Sequence, residues 1–158
     1  MVKLFRVWTS TIEEELDFRG EVANGQKTAN LFKNDPQVHV PVYYEQYCSK
    51  RMIVMEFIEG TKINDEKKIS SELNLDPLKV ADKLIHIMAK MIFKHGFVHC
   101  DAHPGNILVR KTGAGSNFQI VLLDHGMYRQ LDREFINNFC HLWISMMEAD
   151  DKKVKKYA

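Results

Sequence analysis

Phe97-Val98-His99-Cys100-Asp101-Ala102-His103-Pro104-Gly105-Asn106-Ile107-Leu108-Val109, followed downstream by Val121-Leu122-Leu123-Asp124-His125-Gly126, is the stretch that decides how this sequence folds. Each half contains a short apolar run that delivers an acid to a turn, the pattern of short strands joined by hairpin loops. Asp101 is followed five positions on by Asn106, and Asp124 stands two before Gly126. Two oxygen ligands and one spare carboxylate suit phosphoryl transfer. That reaction asks the protein for a divalent cation to neutralise phosphate charge and a base to orient the incoming hydroxyl or water. Mg²⁺ prefers hard oxygen donors, so Asn106 and Asp124 are expected to hold metal and Asp101 to act as base or orienter. Gly126 is expected to permit the backbone turn after the metal ligand. His99 is expected to be a structural peg for the loop. Taken singly, Asp101 and Asn106 are also ordinary turn formers beside Pro104-Gly105; the joint spacing with Asp124 favours chemistry.

Working outward, the residues predict an α+β chain. Upstream, Asp76-Pro77 opens a helix whose apolar positions Val80, Leu84, Ile85, Met88, Met91 and Ile92 recur at helical spacing up to Gly96. A helix is also expected from Glu13 to about Phe32, ending near Asn34-Asp35-Pro36, because proline disfavours helix in the residue before it. Val38 to Tyr47 and Arg51 to Phe57 are rich in β-branched and aromatic residues around Cys48-Ser49-Lys50, and predict an antiparallel pair. Thr112-Gly113-Ala114-Gly115-Ser116 predicts a hairpin loop, and Asp132 to Tyr157 a helix. Met1 to Ile12 carry Lys3, Arg6 and hydroxyls without an acid, faintly like a transit segment, but continuation of a helix is the expected reading.

Bulk composition narrows the partners. With 158 residues and 45% hydrophobic content, one domain or a large part of one is expected. Lys and Arg total 22 against 21 acids, a net charge of +1, so no field gathers nucleic acid or an anionic membrane and none is expected as partner. Three widely spaced cysteines make no disulfide framework, which suits a reducing compartment, and they are expected to be buried small hydrophobes. No apolar run reaches the roughly 20 residues of a membrane span. The eight methionines, Met88, Met91, Met146 and Met147 among them, are expected as core filler, and Lys152 to Lys156 as a solvated helix end. His95, His99, Cys100 and His103 are all possible zinc ligands, but His95, His99 and His103 would share a face only if the segment were one helix, which Gly96 and Pro104-Gly105 oppose.

The spacing H-x-D-x-x-x-x-N followed by D-x-G matches the catalytic and metal-binding loops of kinases. Val98-His99-Cys100-Asp101-Ala102-His103-Pro104-Gly105-Asn106 with Leu123-Asp124-His125-Gly126 resembles the aarF-domain-containing, UbiB-type (ADCK) atypical kinases. Glu15-Leu16-Asp17-Phe18-Arg19-Gly20-Glu21 resembles that family's E-x-D element. The resemblance runs from about Glu13 to Ile136. It implies a partial protein-kinase-like fold, the end of the small lobe over residues 1–57 and the front of the large lobe over 58–158. It makes Glu15 and Asp17 catalytic acids particular to the family, though a run of acids at a helix start is favourable to the dipole in any case. It makes Glu21 the partner of a phosphate-binding lysine, and puts Met55-Glu56-Phe57-Ile58-Glu59-Gly60 at the hinge, with Glu56 among the cofactor-binding residues. ATP and Mg²⁺ follow as cofactors, a phosphoryl acceptor in lipid or quinone pathways as partner, and a mitochondrial location.

The departures from the family pattern matter for mechanism. Ala102 stands where a proline is usual, a change expected to loosen the loop beside Asp101. Neither a K-x-G-Q element nor a V-A-x-K-type strand is found, and Lys3 is not preceded by a phosphate-cradling loop. The expected function is ATP-dependent phosphoryl transfer or ATP hydrolysis. The alternatives are a pseudokinase scaffold without turnover, and an aminoglycoside- or choline-type small-molecule kinase, which shares the H-x-D-x-x-x-x-N loop but not the E-x-D helix.

Overall fold

The computed structural model describes residues 17–113, 115 and 117–158. Helix α1, Phe18–Phe32, starts at Asp17, whose carboxylate caps it by accepting from the Arg19 amide. It stops before Asp35-Pro36 as the proline predicts. Val22, Gly25, Thr28 and Phe32, at helical spacing, form its buried stripe. The expected Glu15 and Lys3 lie outside the described residues.

Two strands were expected next, and here the structure differs. Only Val38–His39 forms a strand, β1, and its partner is distant in sequence. The Val42-to-Glu56 segment folds back antiparallel, with Tyr44 N donating to Val54 O and Glu56 N to Val42 O, but forms isolated bridges instead of a ladder. Glu45–Tyr47 turns as a 3₁₀ helix, and the Cys48 thiol takes up backbone groups of Tyr44 and Val54. A turn inside one arm and a side chain competing for its backbone groups leave too few free N–H and C=O pairs for a regular hairpin.

β2, Thr61–Lys62, leads through the short helix α2, Glu66–Ser71, to α3, Pro77–Ala89, with Asp76 as its cap and Pro77 in its first turn. The last turns, Lys90–His95, widen to a π-helix that ends on Gly96 in the left-handed conformation. β3, Phe97–His99, a 3₁₀ turn at Pro104–Asn106, β4, Ile107–Lys111, and β5, Phe118–Leu122, then follow as the sequence predicts. A further strand, β6, Tyr128–Gln130, pairs antiparallel with β3. The expected C-terminal helix is two, α4, Arg133–Met147, and α5, Asp151–Tyr157. Ala149 takes a positive φ and Asp150 caps the second helix, so the chain turns between them.

Two sheets carry the site. One has the order β1-β5-β4-β2, with β1 parallel to β5 and the other pairs antiparallel; the second is β3 with β6. Ile107, Val109, Ile120 and Leu122 of β4 and β5, at 0–1% exposure, pack with Val80, Ile87 and Met91 of the α3 rod and with Val22 and Phe32 of α1. The core anchors both strands whose tips bear Asn106 and Asp124. Met91 fills it and Met88 packs against it, whereas Met146 and Met147 are exposed on α4, a correction to the core expectation. The cysteines are likewise not buried: Cys100 is exposed, and Cys48 and Cys140 are partly so. Among the described residues no helix is long and apolar enough to cross a membrane.

Candidate active site

Two loops and a helix converge on one place. β3 ends at His99, and the chain turns at Asp101, whose amide donates to His99 Nδ1 over 3.2 Å. His99 is 5% exposed, and burial lowers its pKa, so it serves as a neutral acceptor holding the loop. His103 N donates to Asp101 O and Asn106 N to His103 O, which winds the loop into the turn that precedes β4. His103 Nδ1 accepts from Gly105 N at 3.0 Å. A Cβ at Gly105 would come within 2.6 Å of the imidazole, so glycine is needed for this close approach. Ala102 packs against the core, and the loop is hydrogen-bonded at both ends of Asp101. The Asp101 residue itself is exposed.

The second loop carries Asp124, the carboxylate expected to hold metal. Asp124 sits at φ +53, a conformation disfavoured for a residue with a Cβ and held by its surroundings. Asn106 Nδ2 donates to Asp124 Oδ2 at 2.8 Å, and Gly126 N to Asp124 Oδ1 at 3.2 Å. The left-handed residue is therefore Asp124 and not Gly126. Gly126 is needed for a different reason, because a Cβ there would lie 3.3 Å from Asp124 Oδ1. Leu123 N donates to Asn106 O, tying the two loops again through backbone.

Helix α1 closes the site. His125 N donates to Glu21 Oε1 at 3.3 Å, and Asn24 Nδ2 donates to His125 O at 3.0 Å. Burial raises the Glu21 pKa; the His125 amide acts against it, and the Asp124 charge adds to the rise. His125 is fully buried, its Nδ1 2.9 Å from the Tyr128 hydroxyl and its Nε2 3.0 Å from Leu122 O. Burial pulls its pKa down to about 4. Its role is one of packing. Tyr128 and Asn24 escaped the sequence reading, although Asn24 follows Glu21 by three positions and so shares its helix face.

The other predicted residues stand apart from this contact set. The Asp17 carboxylate is engaged by Arg19, Nη2 at 2.6 Å and Nε at 2.9 Å, and the Arg19 side-chain hydrogen bonds hold its pKa at about 2. Glu56 lies 2.8 Å from His39 Nε2 and accepts from Val42 N, with Arg110 at 4.0 Å. Burial opposes, but these hydrogen bonds keep Glu56 below its usual pKa. His95, stacked edge-on to Phe32, belongs to the π-helix, His99 to a strand and His103 to a turn, so they share no helical face.

The donor set fits Mg²⁺. With its amide nitrogen donating to Asp124, Asn106 keeps its carbonyl oxygen free to coordinate, and each Asp124 oxygen retains a lone pair beyond the one hydrogen bond it accepts. Among the described residues no three His, Cys, Asp or Glu converge on a metal position. One amide and one carboxylate, with water and phosphate completing the shell, is how Mg²⁺ is commonly held.

The ABC1 atypical kinase-like domain family matches residues 1–158. The AarF domain-containing protein kinase 1 of Gallus gallus is 40% identical over 144 residues, 91% of this chain and 28% of the relative. The probable serine/threonine-protein kinase abkD of Dictyostelium discoideum is 42% identical over 146 residues, 92% of this chain and 21% of the relative. The chain thus spans about a quarter of the length of these curated relatives. Among solved structures, the complex of Rv3197 with erythromycin from Mycobacterium tuberculosis superposes with a TM-score of 0.67 at 21% identity, covering 92% of this chain and 35% of that one. This likeness concerns the fold, a partial protein-kinase-like α+β fold. With the family match spanning every residue, the chain belongs to the ABC1 atypical kinase-like family.

Proposed function

We propose that this chain is the base- and metal-bearing portion of an atypical kinase or ATPase that uses Mg-ATP. The observation that carries the reading is the 2.8 Å bond from Asn106 to Asp124, which joins two oxygen-bearing side chains from different loops, with Asp101 exposed five positions before Asn106. The kinase names of the relatives support it. Residues 1–57 would be the end of the small lobe and 58–158 the front of the large lobe, with the Met55-to-Gly60 segment, Glu56 included, between them.

Asp101 accepts the proton of the attacking hydroxyl or water and orients it; its fixed backbone, bonded to His99, sets where the carboxylate points. Asn106 and Asp124 hold the cation. Mg²⁺ held there would supply neutralisation of phosphate charge. Glu21, lodged against the Asp124 loop, is available to a lysine ammonium, and Glu15 and Asp17 act as further acids, Asp17 from the cap of α1. The Arg19 clamp on Asp17 must open or be shared for that role. A mitochondrial setting, with a lipid or quinone-pathway acceptor, rests on the family resemblance.

Mg-ATP turnover by the full-length protein tests the reading. Asp124→Asn and Asp101→Ala are each expected to lower it at least a hundredfold. Unchanged turnover in both variants removes the assignment, and wild-type protein that binds Mg-ADP without any turnover is a binding protein.

A further inference from the structure

Tyr43 is 8% exposed, yet among the described residues its hydroxyl finds no hydrogen-bond partner. An unpaired buried hydroxyl is destabilising, and a phenylalanine would fill the space without that cost. The ring lies across Gly25: a Cβ built there would come within 2.8 Å of Tyr43 Cζ and 2.9 Å of Oη. Gly25 follows Glu21 by four positions on α1, so the phenol lies along the helix face that carries Glu21. The ring also meets His125 edge-on, with centroids 6.3 Å apart, and the His125 amide holds Glu21 Oε1. Tyr43, Glu21 and the Asp124-His125-Gly126 loop therefore pack around one point. Burial raises the Tyr43 pKa, with the Glu21 carboxylate the next cause and Asp124 contributing, in keeping with a hydroxyl turned toward the acids of the site. Glu21 Oε2, the oxygen not bonded to His125, lies on the Gly126 side, 3.9 Å from where a Cβ would stand.

We propose that Tyr43 is a positioning residue: when Mg-nucleotide occupies the site, its hydroxyl donates to the Glu21 carboxylate and holds it over the Asp124 loop. The unpaired hydroxyl of the free protein is the donor kept for that state. The inference rests on the Mg-nucleotide reading above and adds to it a residue from outside the motifs.

Tyr43→Phe in the full-length protein removes the hydroxyl and leaves the ring. Its unfolding midpoint is expected to equal or exceed that of wild type, because an unpaired buried group is gone, while Mg-ADP binds about tenfold more weakly in a calorimetric titration. Gly25→Ala, which displaces the ring, is expected to weaken Mg-ADP binding similarly and also to lower the midpoint. Wild-type affinity in Tyr43→Phe overturns the inference alone. So does a large fall in its midpoint, which would show the hydroxyl paired in the free protein. No binding of Mg-ADP by wild type overturns the Mg-nucleotide reading itself, and the inference with it.

Discussion

Asn106 Nδ2 donates to Asp124 Oδ2 across 2.8 Å, joining side chains 18 positions apart that stand at the start of β4 and just past the end of β5. The pairing of those strands, Ile107 opposite Leu122, brings the two loops together before any cation is present.

Asn106→Asp replaces that hydrogen bond with two facing carboxylates. In metal-free buffer the variant is expected to be less stable by about 1 kcal/mol, and Mg²⁺ to raise its unfolding midpoint more than that of wild type, because the cation relieves the repulsion. Thermal unfolding with and without MgCl₂ checks this. An Mg²⁺ shift equal to the wild-type one argues against a cation site at the pair.

His103 caps the Pro104–Asn106 turn through Nδ1, in the place where an asparagine Oδ1 would accept the same Gly105 amide. His103→Asn is expected to keep the turn and the Mg-nucleotide affinity. His103→Ala should lose about 1 kcal/mol of stability and several-fold in affinity, since the turn aims Asn106. Equal affinity in His103→Ala and wild type would show that the cap does not position Asn106.

His125 makes stability depend on pH. Unfolded, its imidazole titrates near 6.5; folded, burial pulls it to about 4. Between these values the unfolded chain binds the proton and the folded one does not. The contribution is thus complete above pH 6.5 and falls as pH drops toward 4, by on the order of 3 kcal/mol. Burial moves His99 in the same direction. Urea midpoints measured from pH 7 to 4 should fall steeply in wild type and less so in His125→Phe; parallel curves would contradict the assignment.

Asp35 ties the end of α1 to the α3 rod. Lys83 Nζ lies 2.7 Å from Oδ1 and Lys90 Nζ 2.8 Å from Oδ2, with the Asp35 and Lys83 side chains 14% and 15% exposed. Burial opposes ionisation, but the two lysines win and hold the carboxyl at about 2. Its stabilisation is complete above its unfolded pKa of about 3.8 and is lost as pH falls toward 2. Asp35→Ala leaves Lys83 without its carboxylate in a mostly buried place, and a loss of about 3 kcal/mol in chemical unfolding at pH 7 is expected. A loss below about 1 kcal/mol would mean the pair is solvated.

The two candidate loops were legible because their turns are written in local spacing. Asp101 to Asn106 is one turn, and Asp124 to Gly126 another, each specified by residues within a few positions. The α3 helix was legible through its apolar period and its Asp76-Pro77 start. The Val38-to-Phe57 pair was misjudged because β-branched and aromatic composition does not reveal that Cys48 and a 3₁₀ turn take the backbone groups a hairpin needs. The break after Met147 was missed for a similar reason. Nothing in Met147-Glu148-Ala149-Asp150 forbids helix, yet the Asp150 carboxylate, caught by the Lys153 amide, starts a new one.

The sequence alone determined the residue types and their order along the chain: an aspartate, an asparagine and a second aspartate at kinase spacing, and an acid on a preceding helix. Only the tertiary structure decided which of them meet. Glu21 is 104 positions from His125, yet its carboxylate accepts from that residue's amide. Tyr43, in no motif, sits on Gly25 at the back of the same acids. Spacing can specify a turn because a few residues control a few dihedrals. It cannot specify contacts across a hundred residues, because these follow from burying α1, the α3 rod and the β4–β5 pair in one core.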